Sequence, residues 1–488
     1  MRPSSSPSEA LLRGLSGTPD VDAEIGDHAL LRALLDVEAA LARAGADVGL
    51  VPAPAADEIV RQCRAERYDP AALGAAAEAA GNPVVPLVRE LTAAVAEPAR
   101  PWVHHGATSQ DVLDTALSLV AVRAAEPLLR HLADAADAAA RLARTHRDTL
   151  MAARTLGQQA APTTFGLKAA GWLVGLVEAR TRLARARADL PAQLGGAVGT
   201  LAAYGTAGPA IVDRFAAHLG LAASPLPWHT RRQPLLDLAA ALGGLLAATG
   251  KIALDVGLLA QTEVGEVAEG GAGRGGSSAM PHKRNPVDSV LVTAAARRGP
   301  GLVGTLFAAA GQEHERAAGG WHAEWEPLLD LTHLAGGAAA RTARMLADLD
   351  VRPQRMRVNL DASGGLLLAE SVAARLAPAL GRAAAHDLVR RAAGRPDFRA
   401  ALLADADLRA HLSEPDVDAA LDPAGWLGSA GHLIDRALDL HREAARGEGP
   451  TAGSHHEAAR GPAAGAGPRH EAARGPAATA GPHREAQP

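Results

Sequence analysis

The sequence predicts an all-α protein built around a bundle of long helices, and three observations carry this. The apolar mass is mostly Ala, Leu and Val, with aromatic residues only 2% of the 488, and Ala and Leu are strong helix formers. Apolar residues recur at alternating three- and four-residue steps over unusually long stretches. These stretches carry small, Ala-rich faces that are hard to bury within one chain, which points to a bundle completed by other subunits.

Residues 21–50 read as one helix entered from a Pro-Asp turn, with Leu30, Leu31, Leu34, Leu35, Val37, Leu41 and Ala44 as its apolar stripe. Shorter helical pieces follow, broken by Pro52, Pro54, Pro70, Pro83 and Pro86, and residues 1–111 form an N-terminal helical domain. From Val112 to about Arg147 runs one amphipathic pattern through Leu117, Val120, Ala124, Leu128, Leu132, Ala135, Ala139 and Leu142, with a bend expected at Pro127. Such a helix is roughly 50 Å long. Further patterns cover 165–190, 233–267, 286–311 (interrupted at Pro300) and 325–349, so 112–361 is the central long-helix domain. A third helical domain spans 362–446. Beyond it EAARG recurs at 443–447, 457–461 and 471–475. Residues 447–488 hold too little apolar side chain to offset ordering entropy and read as a disordered tail.

A formal charge of −5 argues against general nucleic-acid binding. The N-terminus MRPSSSPSEALLRG lacks the apolar region of a signal peptide, and no apolar run reads as a membrane span. A single cysteine, Cys63, excludes an intrachain disulfide and fits a reducing compartment. The expectation is a soluble, cytoplasmic protein.

Chemistry concentrates in EGGAGRGGSSAMPHKRNPV, 269–287. Its glycines free backbone amides to face an anion. Lys283 adds a mobile positive charge and Asn285 an amide donor, suited to a carboxylate that gains negative charge. Ser277 and Ser278 are candidate proton carriers or nucleophiles. No GK[ST] follows the glycines, so a P-loop is a poor fit. Thr108 and Asp111 have the spacing of a helix N-cap, a position that also suits an anion. His314, Glu315, His322 and Glu324 lack a clean i, i+4 ligand pattern, so no metal is expected. Trp321 and Trp325, four apart on an expected helix, read as packing residues.

GSSAMPHKRNP at 276–286 resembles the signature loop of the fumarase/aspartase superfamily of lyases nearly residue for residue. HHGATSQD at 104–111 and RTLGQQAAPTTFG at 154–166 are similar to its other two substrate-binding stretches, in the same order. The resemblance runs from about residue 15 to 446. Within the superfamily, LLDVEAALARAGADVGLVP (34–52), QLGGAVGTLAA (193–203), PWHTRR (227–232) and QEHERAAGGWHAEWEPL (312–328) most resemble the 3-carboxy-cis,cis-muconate cycloisomerase family. That family interconverts 3-carboxy-cis,cis-muconate and 4-carboxymuconolactone in protocatechuate breakdown, without a cofactor. The resemblance therefore implies a small tricarboxylate substrate and a homotetramer with active sites shared between subunits. It implies Ser277 as the base that moves a proton next to a carboxylate, with Lys283 and Asn285 holding the enediolate-like charge. It implies substrate contacts from His104, Thr108, Ser109, Thr155, Gln158, His229 and Arg297.

One departure bears on the chemistry. Adenylosuccinate and argininosuccinate lyases carry a Thr-His pair in the second stretch; here it is Thr155-Leu156. Losing a general acid typically costs about 10²–10⁴-fold where an amine must leave. A lactone opened by elimination releases a carboxylate of unperturbed pKa ~4, which needs no acid. Leu156 thus argues against the C–N lyases of the superfamily, such as adenylosuccinate lyase, the competing activity, and is compatible with the cycloisomerase; the intact Ser277, Lys283 and Asn285 argue against a third alternative, a catalytically silent homologue. The cycloisomerases also differ here, carrying tryptophan at position 156 and histidine at that of Gln159.

Overall fold

The computed structural model describes residues 11–271, 274–276 and 279–446. The tail at 447–488, together with Ser277 and Ser278, lies outside the described residues. The chain enters through α1 (Pro19–Ile25) and α2 (Asp27–Asp47). The single helix expected over 21–50 is in fact broken at Gly26, whose backbone is extended (φ −75°, ψ 171°). Helices α3 (Ala53–Gln62), α4 (Pro70–Ala77) and α5 (Val84–Ala94) follow. Their prolines sit at or beside the first turns, where a missing N–H is tolerated.

The centre comprises α6 (Ser109–Thr145), α7 (Phe165–Ala188), α8 (Gly208–Leu219), α9 (Gln233–Leu259), α10 (Val287–Ala309) and α11 (Trp325–Ala347). Helix α6 is the axis, with α1, α2, α7 and α11 packed along it. Its 37 residues give a length of about 55 Å, and Pro127 lies buried inside it. The small residues expected from composition bring backbones together. A methyl group on Gly250 of α9 would lie 2.6 Å from the Ala296 Cβ of α10. Helix α10 runs through Pro300 without the expected interruption. Its packing against α9 and α11 outweighs the one lost donor. Helix α9 is long and apolar enough to cross a membrane by length and composition alone, although Asp237, Lys251 and Asp255 interrupt its apolar run. It nevertheless buries Leu235, Leu238, Leu242, Leu245 and Ile252 in the core, so it reads as a core helix.

Two antiparallel ribbons interrupt the all-α architecture among the described residues: β1 (Leu150–Thr155) with β2 (Gln158–Thr164), and β3 (Val267–Ala268) with β4 (Asp350–Val351). The chain ends through α12 (Pro353–Asp361), α13 (Ala369–Leu380), α14 (Arg382–Ala393), α15 (Phe398–Ala404), α16 (Ala406–Arg409), α17 (Glu414–Ala420) and α18 (Ala430–Ala445). Residues of α13 to α17 form a separate small core around Phe398 and Leu402. Helix α18 returns to α7 and adds Ile434, Ala437 and Leu438 to the main core.

The start of α7 seats tightly on the end of α6. A Cβ on Gly166 would lie 2.7 Å from both the Arg147 Cα and the His146 carbonyl oxygen. Gly166→Ala is expected to destabilise the protein by about 1–3 kcal/mol through overpacking, read as a lowered thermal midpoint.

Candidate active site

The N-terminal end of α6 carries the first cluster. Thr108 caps the helix, and its own amide donates to Asp111 Oδ2 at 3.0 Å, closing the capping box expected from Thr-x-x-Asp. Ser109 is the first residue of the helix. Asp111 is almost fully buried and accepts three further bonds: Gly195 N and Gly196 N, each at 2.9 Å, and His229 Nε2 at 2.7 Å. His229 is therefore a buried residue seated on a carboxylate, only 4% exposed. His104 is half-buried, and its Nδ1 donates to Glu38 Oε1 of α2 at 2.7 Å. Its backbone lies in the left-handed region at φ 55°.

One turn further along α6, Asp114 joins a buried charge network. Arg232 donates to both Asp114 oxygens at 2.7 and 2.9 Å, and to Glu324 Oε2 at 2.7 Å. Trp321 Nε1 donates to Asp114 at 2.9 Å, and Gln312 to Glu324 at 2.9 Å. Arg232 also lies over the Trp228 ring, 4.8 Å from its centroid. Gln110 ties this network to the first cluster by donating to the His229 carbonyl at 2.8 Å. Burial pushes the Glu324 carboxyl above its usual range, offset in part by Arg232. Burial alone would lower the Arg232 guanidinium, but Asp114 and Glu324 hold it well above its ordinary value. The segments 227–232 and 312–328, notable in the sequence, thus meet through Arg232 and Glu324, whose roles sequence reasoning missed. It likewise missed Glu38 and Asp111 as partners of the two histidines. The signals present were the acidic residues Glu38, Asp111 and Glu324 within 34–52, 104–111 and 312–328, and the cation Arg232 within 227–232.

The second stretch lies at the other end of α6. Thr155 and Gln158 pair across the β1–β2 hairpin, and both are exposed. The turn between them is Leu156 (φ 51°) and Gly157 (φ 79°), two left-handed residues as a type I′ turn requires. Leu156 is fully exposed at the tip. Arg154 forms a bidentate pair with buried Glu266 at 2.7 and 2.9 Å, and Asn359 donates to the same carboxylate at 2.8 Å. This pair sets the hairpin beside the root of the third stretch.

In the third stretch, Glu269 accepts from the amides of Asp288 and Ser289 at 2.9 and 2.7 Å, capping α10. Asn285 N donates to Gly275 O at 2.8 Å, pinching the loop. Gly275 is left-handed (φ 68°), and a Cβ there would lie 2.3 Å from the Asn285 oxygen. Lys283 is exposed and Asn285 half-buried. Arg297 lies on α10 in an open groove of about 410 Å³ with Leu254, Gly257, Leu258, Val290 and Thr293. The structure thus gathers His104, Thr108, Ser109 and His229 at one end of α6. It places Thr155 and Gln158 beyond the opposite end of that ~55 Å helix. Among the described residues, no group of three or more His, Cys, Asp or Glu is placed to hold a metal ion.

Comparison with known proteins adds to this geometry. The family described as lyase matches residues 18–301, and the adenylosuccinate lyase C-terminus matches 365–437. A nitrosuccinate lyase of Streptomyces davaonensis is 48% identical over 453 residues, spanning 88% of this chain and 95% of that protein. A 3-carboxy-cis,cis-muconate cycloisomerase of Pseudomonas aeruginosa is 49% identical over 430 residues, spanning 86% and 94%. The crystal structure of 3-carboxy-cis,cis-muconate lactonizing enzyme from Pseudomonas putida superposes with a TM-score of 0.83 at 41% identity, covering 89% of this chain and 99% of that one.

Replacing Arg232 by Met leaves Asp114 and Glu324 buried without their cation. Arg232→Met is expected to lose about 3–5 kcal/mol of stability. The unpaired carboxylates take up protons more readily, so the loss shrinks as pH falls, which denaturant melts at several pH values will show.

Proposed function

The chain belongs to the lyase family, within the fumarase/aspartase superfamily, and on that premise we propose that it interconverts 3-carboxy-cis,cis-muconate and 4-carboxymuconolactone in the protocatechuate branch of the β-ketoadipate pathway. The observation that carries this reading is the near end-to-end likeness to cycloisomerases in both sequence and solved structure. In the lactonising direction, one substrate carboxylate oxygen adds to a carbon of the conjugated diene. The electron pair moves into a second carboxylate, which becomes an enediolate, and Ser277 delivers a proton to the carbon beside it. Lys283 and Asn285 hold the enediolate charge. His104, Thr108, Ser109, Thr155, Gln158, His229 and Arg297 bind and orient the tricarboxylate. Opening the lactone reverses these steps and expels a carboxylate, so Leu156 need donate no proton.

The site is shared between chains in a homotetramer. The ends of α6 lie too far apart for one chain to bring His104 and Thr108 to Thr155 and Gln158. Apolar side chains on α9 and α10, among them Leu254, Leu258, Val290 and Phe307, are half exposed and fit burial against second copies.

A second reading rests on the likeness to nitrosuccinate lyase. Expelling a nitro group as nitrite also needs no acid at position 156. Leu156 therefore separates both reactions from amine elimination without separating them from each other.

Purified protein is expected to change the ultraviolet absorbance of 3-carboxy-cis,cis-muconate; nitrite release from nitrosuccinate with no change in the muconate would reverse the choice. Ser277→Ala should lower turnover by about 10²–10⁴-fold; near-normal kcat would remove Ser277 from proton transfer. Light scattering should give four times the 49.7 kDa chain mass, and a fully active monomer would exclude a shared site.

A further inference from the structure

Glu38 lies in the middle of α2, far in sequence from the three substrate-binding stretches. Its side chain has no solvent exposure, whereas that of His104 keeps 18%. One carboxylate oxygen receives the His104 Nδ1 proton at 2.7 Å. The other is buried and has no hydrogen-bond partner among the described residues. A buried carboxylate with a single partner is costly unless that partner carries the opposite charge. His104 is also held at φ 55°, a backbone state that a side chain tolerates only when its surroundings enforce it.

We infer that Glu38 is a positioning residue for the reaction, holding His104 as an imidazolium that meets a substrate carboxylate. This rests on the reading of His104 as a substrate contact. The charged and titratable groups around the pair agree. Asp111 of α6 adds a second negative charge towards His104. Cys63 at the end of α3 and Tyr204 near the 195–201 loop both face the Glu38 charge and are pushed up, chiefly by burial, so both remain neutral. Asp36 and Arg43 also act on Cys63 with opposite signs, and His229 shares the Asp111 carboxylate at 2.7 Å, while the hydrogen bond from His104 is the one Glu38 receives among the described residues. Burial alone would lower the His104 pKa; the Glu38 charge and hydrogen bond, with Asp111, turn the net shift upward. The imidazolium is therefore present below that raised pKa and lost as pH rises through it.

The test is a ¹³C-histidine NMR titration of the full-length protein, with the His104 signal assigned by its loss in His104→Gln. The wild-type midpoint should lie above that of a free histidine, and Glu38→Gln should lower it. Glu38→Asp, which keeps the charge, should retain part of the upward displacement. In activity, Glu38→Gln should move the alkaline limb of kcat/KM to lower pH, with a loss of roughly tenfold or more above neutrality that narrows in acid. A wild-type midpoint at or below that of free histidine would overturn the proposal, even if Glu38→Gln does not fold. So would an unchanged midpoint, or an equal activity loss at every pH, in folded Glu38→Gln. The titration needs no substrate, so a displaced midpoint alongside inactivity on the muconate would fault the substrate reading and leave the pair standing.

Discussion

The structure around the first stretch depends on burying charge at one end of α6. Gln110, Asp111 and Asp114 fall within its first two turns, and all are 1% exposed or less. Charged groups in such a place are costly unless they are paired and hydrogen-bonded. Arg232 meets this demand for Asp114, and the amides of Gly195, Gly196 and Thr108 do so for Asp111. Five distant segments are thereby drawn to one point: 104–114, 193–203, 227–232, 312–324 and, through Glu38, α2. An apolar core of Ala and Leu packs helices side by side but is tolerant of sliding. Directional bonds to buried acids fix where the helix ends sit relative to one another.

Much of this was legible in the sequence, and what was not has physical causes. The long helices could be read because their apolar steps repeat over many turns. The Thr108 cap could be read because it is local. The break at Gly26 could not, since a glycine within a helical pattern is often tolerated. The continuity of α10 through Pro300 was missed because packing on two neighbours overrode a local rule. Arg232 and Glu324 stood inside the 227–232 and 312–328 motifs, yet nothing in their spacing announces that they meet across 92 residues. Burial is a property of the fold, and an acidic residue near a motif looks the same whether it is solvated or enclosed.

The hairpin shows the same limit from the other side. Leu156 was informative as a residue that cannot move a proton. Its place at the exposed tip of a type I′ turn adds that its side chain has no packing role within its own chain. Under the proposed shared site, a second copy of the chain would meet this tip.

The loop at 270–287 is tethered at its base: Glu269 grips the first amides of α10, and Asn285 is tied back to Gly275. Since the ends are fixed by the scaffold, changes of length inside the loop carry only a slowly growing entropic penalty, about 0.6 kcal/mol for each doubling. The bundle is thus largely insulated from what the loop contains. The loop carries the signature common to the superfamily, so this insulation separates a shared catalytic segment from the packing of the frame that presents it.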